Sequence, residues 1–166
     1  MKQHIFFSLC VVWVLGFVGL IQAAEIGDSS PDCQIAPHEH QASYALKHLQ
    51  GKVVYVDFWA SWCGPCAKSF PFLNALDQEF NTKGLQIIGI NLDEQPAEAA
   101  DFLAKYPAQF TIASGDNQQC AENFAVKAMP SSYLIDRKGH IRHIHLGFKP
   151  DEADQLKTLV NQLLAE

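Results

Sequence analysis

Cys63-Gly64-Pro65-Cys66 stands just past the end of an apolar run, Val53 to Trp59. Two thiols this close either hold a metal or form a redox couple that closes as a disulfide and opens as a dithiol. A structural zinc site needs four ligands, usually supplied by a second Cys pair or a His pair at close spacing. Cys33 and Cys120 each stand alone, far from another cysteine. His143 and His145 are two apart, which suits one face of a strand better than a zinc knuckle. No metal is therefore assigned. The redox reading explains the setting better. Cys63 follows a strand and precedes a helix, so its sulfur falls near the free N–H groups of a helix N-terminus. That partial positive charge favours the thiolate, which is the nucleophile. Gly64-Pro65 keeps the turn tight, so Cys66 can reach back and close the disulfide.

The elements that must position this pair are legible in the apolar spacing. Val53 to Trp59 is nearly continuous apolar and β-branched, the mark of a strand buried on both faces, and Asp57 interrupts it. Cys66 to Phe80 has helical spacing, with a kink expected at Pro71. Leu85 to Leu92 is a second buried strand, which makes a βαβ unit. Pro96 to Tyr106 reads as a short helix with Pro96 in its first turn, residues 110–113 as a short strand, and Asn117 to Val126 as another helix. Ser131 to Asp136 and His140 to Leu146 form a hairpin around Arg137-Lys138-Gly139. Pro150 to Glu166 is a final amphipathic helix, apolar at Leu156, Leu159, Val160, Leu163 and Leu164. Residues 25–50 read as polar and irregular. The expectation is one α/β domain over 25–166, βαβ then ββα, with a helix–strand insert at about 96–113.

The chain has 166 residues, enough for one domain with a real core. Its formal net charge is −6 and no basic stripe is present, which argues against a nucleic-acid partner. The N-terminus is read apart from the fold. Lys2 precedes 17 residues without a charge, Ile5 to Ile21, and small residues follow at Ala23 and Ala24. Residues 1–24 therefore read as a secretory signal cleaved near Ala23 or Ala24; the alternative is an uncleaved membrane anchor. Export implies an oxidising compartment, periplasmic or otherwise extracytoplasmic, in which disulfides persist. Without residues 1–24 four cysteines remain, Cys33, Cys63, Cys66 and Cys120, and four cysteines permit three pairings.

The segment VDFWASWCGPC, residues 56–66, closely resembles the active-site segment of thioredoxins, and KAMPSSYLID, 127–136, resembles their cis-proline loop and following strand. With the LQGK lead-in at 49–52 and the insert, the chain resembles the TlpA/ResA/CcmG branch of extracytoplasmic thioredoxin-like proteins over about 43–166. The resemblance implies a thioredoxin-like fold and roles for single residues. Cys63 is the exposed attacking thiol, and Cys66, more buried, resolves the mixed disulfide. Asp57, six residues before Cys63, is a buried acid able to accept the Cys66 proton. Pro130 is a cis-proline beside the dithiol, which lets Met129 offer its backbone to an extended substrate. Trp62, Gly64 and Pro65 border the substrate groove, and Trp59 packs inside. The redox disulfide is the only prosthetic chemistry implied.

Two positions depart from the pattern. Many members carry Glu three residues after the second Cys, where Ser69 stands here. Thioredoxins place a Lys beside the buried Asp on the next strand, and the matching position is Gly89. Cys33 and Cys120 are candidates for a structural disulfide tying the N-terminal arm to the helix before Pro130, with a second redox relay or free thiols as alternatives. His38, His40, His48, His140, His143 and His145 read as solvated histidines, with a copper site as the rival. The leading functional expectation is an exported reductase of protein disulfides, monomeric, fed by a membrane thiol-electron donor of DsbD type. A disulfide-forming oxidase and a copper-binding or chaperone module on the same fold are the alternatives.

Overall fold

The computed structural model of the chain describes residues 24–37, 42–113 and 117–166. Residues 1–23 of the signal read over 1–24 lie outside the described residues, as do His38 and His40.

Among the described residues seven strands and four helices follow in chain order: β1 (Gln34–Ile35), β2 (Tyr44–Ala45), β3 (Val53–Trp59), α1 (Gly64–Phe80), β4 (Leu85–Asn91), α2 (Pro96–Lys105), β5 (Thr111–Ala113), α3 (Gln118–Asn123), β6 (Ser131–Ile135), β7 (Ile141–Leu146) and α4 (Ala153–Leu164). Five strands make one mixed sheet in the order β5-β4-β3-β6-β7. β3, the run without a gap in its apolar character, is the central strand, and all seven of its residues are buried. It pairs parallel with β4 and antiparallel with β6. The fold is thioredoxin-like: a βαβ half (β3-α1-β4) and a ββα half (β6-β7-α4) joined through the insert α2-β5, which adds a third parallel strand beside β4.

Side chains alternate across β3 because a strand repeats every two residues. Val53, Tyr55 and Trp59 join Phe70, Leu73 and Leu76 of α1 and Val160 and Leu163 of α4 in one core. Val54, Val56 and Phe58 join Ile88, Ile90, Tyr133, Phe124 and Ile35 in the other. Asp57 has the parity of the first set, so it lies on the α1 face.

Three local expectations change. The described residues within 25–50 are more ordered than their composition suggests. β1 pairs with β2, a 3₁₀ turn covers Leu46–Leu49, and the arm before them hydrogen-bonds to the start of β7 through Gly27 N–H to Ile141 O (2.8 Å) and Ile141 N–H to Asp28 O (2.9 Å). Strands of two residues are too short to show periodicity. The helix expected over 117–126 ends at Asn123; Ala125 then adopts φ 54°, turning the chain toward Pro130. α1 starts at Gly64 and runs unbroken through Pro71 to Phe80.

Candidate active site

Cys63 is the residue that caps α1. Its backbone is extended (φ −84°, ψ 100°), and its Sγ accepts a hydrogen bond from the Cys66 N–H at 3.2 Å. Pro65 falls in the first turn, where its missing N–H deprives the helix of nothing. Cys63 and Cys66 are bonded as a disulfide, Cα to Cα 5.3 Å. Cys63 was expected to be exposed. In the disulfide it is 4% exposed and Cys66 is fully buried, because both sulfurs sit in the apolar cluster with Trp59, Phe70 and Met129. The order of accessibility favours Cys63, but only a sliver of it reaches solvent.

The turn that delivers Cys63 is tied down by Asp93, just past the end of β4. The Asp93 carboxylate accepts from the Ser61 N–H at 2.9 Å, from Ser61 Oγ at 2.9 Å and from Asn91 Nδ2 at 2.7 Å. Asn117, before α3, donates to the Asn91 carbonyl at 2.9 Å. Asp93 and Asn117 are absent from the sequence reading. One signal could have found Asp93: functional residues of open α/β sheets gather beyond the carboxyl ends of parallel strands, where NLDE stands.

Asp57 is buried on β3 with a single hydrogen-bond donor. Ser132 Oγ, directly across on β6, donates to Oδ1 at 2.6 Å, and Oδ2 has no partner. Burial pushes the carboxyl up to about 7, and the Ser132 hydrogen bond offsets part of that rise. Burial and the Asp57 charge likewise hold the neighbouring Tyr55 hydroxyl well above its ordinary range. On the other flank Asp57 faces Gly89, the position matched to the thioredoxin lysine. A Cβ there would meet Ile112 Cδ1 and Phe110 Cε2 at 3.0 Å and Trp59 Nε1 at 3.2 Å. The insert thus fills the space a lysine would need. Ser69, in place of the family glutamate, is buried and donates to the Cys66 carbonyl at 3.0 Å. Lys68 is exposed.

The Met129–Pro130 peptide is cis. Since Phe58 pairs with Ser131, Pro130 comes one step beyond, at the end of β3 that leads to Cys63. Met129 packs against the cluster that holds both cysteines. Trp62 is 70% exposed and shares a groove of about 470 Å³ with Leu92, Ala121, Val126 and Met129. Trp59 is fully buried against Phe70 and Phe102, ring centroids 5.1 and 4.9 Å away. Gly64 and Pro65 are exposed.

Cys33 and Cys120 are disulfide-bonded with Cα atoms 5.2 Å apart, joining the arm before β1 to α3. His143 and His145 stack on β7 with centroids 6.1 Å apart, and His145 Nε2 lies 3.2 Å from Glu152 Oε2. Among the described residues no group of three or more His, Cys, Asp or Glu side chains could hold a metal ion, and no helix is long and apolar enough to cross a membrane.

The Redoxin family model matches residues 25–163. The thiol-disulfide oxidoreductase ResA of Bacillus thuringiensis (strain Al Hakam) is 32% identical over 150 residues, covering 84% of this chain and 86% of the relative. A crystal structure from Chlorobium tepidum, provisionally described as a thiol:disulfide interchange protein DsbE, is 39% identical with a TM-score of 0.80, covering 86% of this chain and 99% of that one. A thioredoxin family protein from Chlorobium tepidum TLS shares the fold at 18% identity and a TM-score of 0.71, covering 86% of this chain and 99% of that one. The N-capping Cys63 bonded to Cys66 suggests a CXXC redox site, and the match over residues 25–163 shows that the chain belongs to the Redoxin family, in the thioredoxin-like branch of thiol-disulfide oxidoreductases that includes ResA.

Proposed function

We propose that the chain works as an exported reductase of protein disulfides, with Cys63 as attacking thiol, Cys66 as resolving thiol and Asp57 as the base. The observation that carries this reading is the hydrogen bond from the Cys66 N–H to Cys63 Sγ at the N-terminus of α1. Once the pair is reduced, the same N–H and the helix dipole stabilise a Cys63 thiolate. A dithiol donor first gives two electrons and two protons to the Cys63–Cys66 disulfide. The Cys63 thiolate then attacks one sulfur of a substrate disulfide. A Cys63–substrate bond forms, the substrate bond breaks, and one substrate thiolate leaves. Cys66 gives its proton to Asp57 and attacks Cys63 Sγ. The intramolecular disulfide re-forms and the second substrate thiolate leaves, so the substrate gains the two electrons the pair loses.

No cofactor beyond this disulfide is needed. Pro130, Met129, Trp62, Gly64 and Pro65 form the rim against which an extended substrate segment lies. The apolar run at 5–21 supports export, as a cleaved signal or an anchor. Outside the cytoplasm the electrons must come through the membrane, from a thiol donor of DsbD type. Substrates in cytochrome c maturation or copper-site assembly fit that compartment, and the chain acts as a monomer. Insulin-disulfide reduction by dithiothreitol tests the activity: the wild-type chain accelerates it and Cys63→Ser does not. No acceleration by the wild-type chain overturns the reading.

A further inference from the structure

We propose that Ser132 is the positioning residue of the proton-transfer step: its hydroxyl holds Asp57 by Oδ1 and leaves Oδ2 as the oxygen that receives the Cys66 proton. The inference rests on the role given to Asp57 above. Three observations carry it. The contact is short, 2.6 Å, between two buried side chains directly opposed in the β3–β6 ladder, so neither has another conformation within easy reach. Ser132 is the sole donor to the carboxyl, and Oδ2 is buried without a partner. The opposite flank makes no hydrogen bond to the carboxyl: Gly89 has no side chain, and the Trp59 N–H, 3.2 Å from where a Gly89 Cβ would stand, has no hydrogen-bond partner.

The groups on the carboxyl's face of the sheet follow from the packing. Tyr55 lies two residues back on β3. From α1 comes Cys66, in the same buried cluster. β4 gives Gly89 and β6 gives Ser132. One strand further, His145 pairs with Ser132 and sits beside Glu152. α4 presents Val160 and Leu163. The cations of these elements are engaged elsewhere, Lys68 of α1 being exposed, Lys157 of α4 paired with Glu79 and Arg142 of β7 with Glu166, so a serine hydroxyl performs what a lysine does in the thioredoxin pattern: it makes the ionised carboxylate tolerable. A donated hydrogen bond favours the charged form of a carboxyl, so its loss raises the pH at which that carboxyl ionises.

The test is a ¹³C NMR titration of the Asp57 carboxyl in the oxidised protein. Ser132→Ala moves the midpoint up by about one pH unit, the size expected for a hydrogen bond to a charged group, and Ser132→Thr, which keeps the hydroxyl, restores it. An unchanged midpoint in a folded Ser132→Ala protein overturns the inference. Stopped-flow oxidation of the reduced protein by a model peptide disulfide separates this from the reading beneath it. In the wild type the resolution rate shows an inflection near the Asp57 midpoint, Asp57→Asn loses it, and Ser132→Ala moves it up, slowing the step below the inflection by up to about tenfold. If Asp57→Asn keeps the wild-type inflection, Asp57 is not the base and the proton role of Ser132 falls with it. If Asp57→Asn loses the inflection and Ser132→Ala leaves it in place, only the inference about Ser132 fails.

Discussion

Asp57 is a carboxyl placed where its charge is poorly tolerated, since it has one hydrogen bond, no cation and no water-facing oxygen on the described surface. The consequence for stability has a definite sign. The carboxyl ionises near its ordinary 3.8 when unfolded and at about 7 in the fold. Between those values the folded state binds more protons than the unfolded one, so stability falls as pH rises from about 4 to about 7 and is level above. Asp57→Asn removes the charge while keeping the shape and an acceptor for Ser132. The variant is therefore more stable than the wild type at pH 8, on the order of a few kcal/mol, and the difference shrinks toward zero below pH 4. Urea unfolding of oxidised protein at both pH values checks this; a variant less stable at pH 8 contradicts it. In the proposed mechanism the same substitution removes the proton acceptor, so stability is gained where catalysis is lost.

At the scale of elements, the insert decides what can stand next to Asp57. β5 pairs with β4 through Gly89↔Ile112, and Phe110 and Ile112 close over the glycine. Gly89→Ala brings a methyl to 3.0 Å of both, and overpacking of a filled core costs about 1–3 kcal/mol. A lowered denaturation midpoint is expected, and an unchanged one contradicts the packing. These long-range fits mark the limit of what the sequence could reveal. The Cys63–Cys66 pair, its strand and its helix were legible because the spacing of a few neighbouring residues specifies them. Asp57 was legible as a charge interrupting a buried strand, and Gly89 only through the thioredoxin resemblance, as the position where those proteins place a lysine. Ser132 was not: it lies 75 residues from Asp57 in the chain, and only the β3–β6 register brings a serine hydroxyl to one carboxylate oxygen. The Asp93 latch on Ser61 was hidden for the same reason, with 32 residues between them. The small exposure of Cys63 depends on packing around the closed disulfide, which spacing does not encode.

For the whole molecule, two disulfides divide the labour. Cys33–Cys120 spans 87 residues and joins the arm beside β7 to α3, a wall of the groove next to Trp62. A loop of that length restricts the unfolded chain enough to stabilise the fold by about 2–5 kcal/mol. The double variant Cys33→Ser, Cys120→Ser is expected to be less stable by that amount in urea unfolding and to keep the proposed insulin-reducing activity. Loss of activity in a folded double variant would instead place this pair in the electron path. Cys63–Cys66 is the other kind of disulfide, held by α1 at a site where a thiolate is favoured. The direction of its electrons is the central claim, and its reduction potential, from equilibration of the protein with glutathione or dithiothreitol buffers, tests it most directly. The account predicts a strongly negative value, near thioredoxin's about −270 mV, as a donor of electrons to protein disulfides requires. A value near DsbA's about −120 mV would contradict it and make the protein an oxidase.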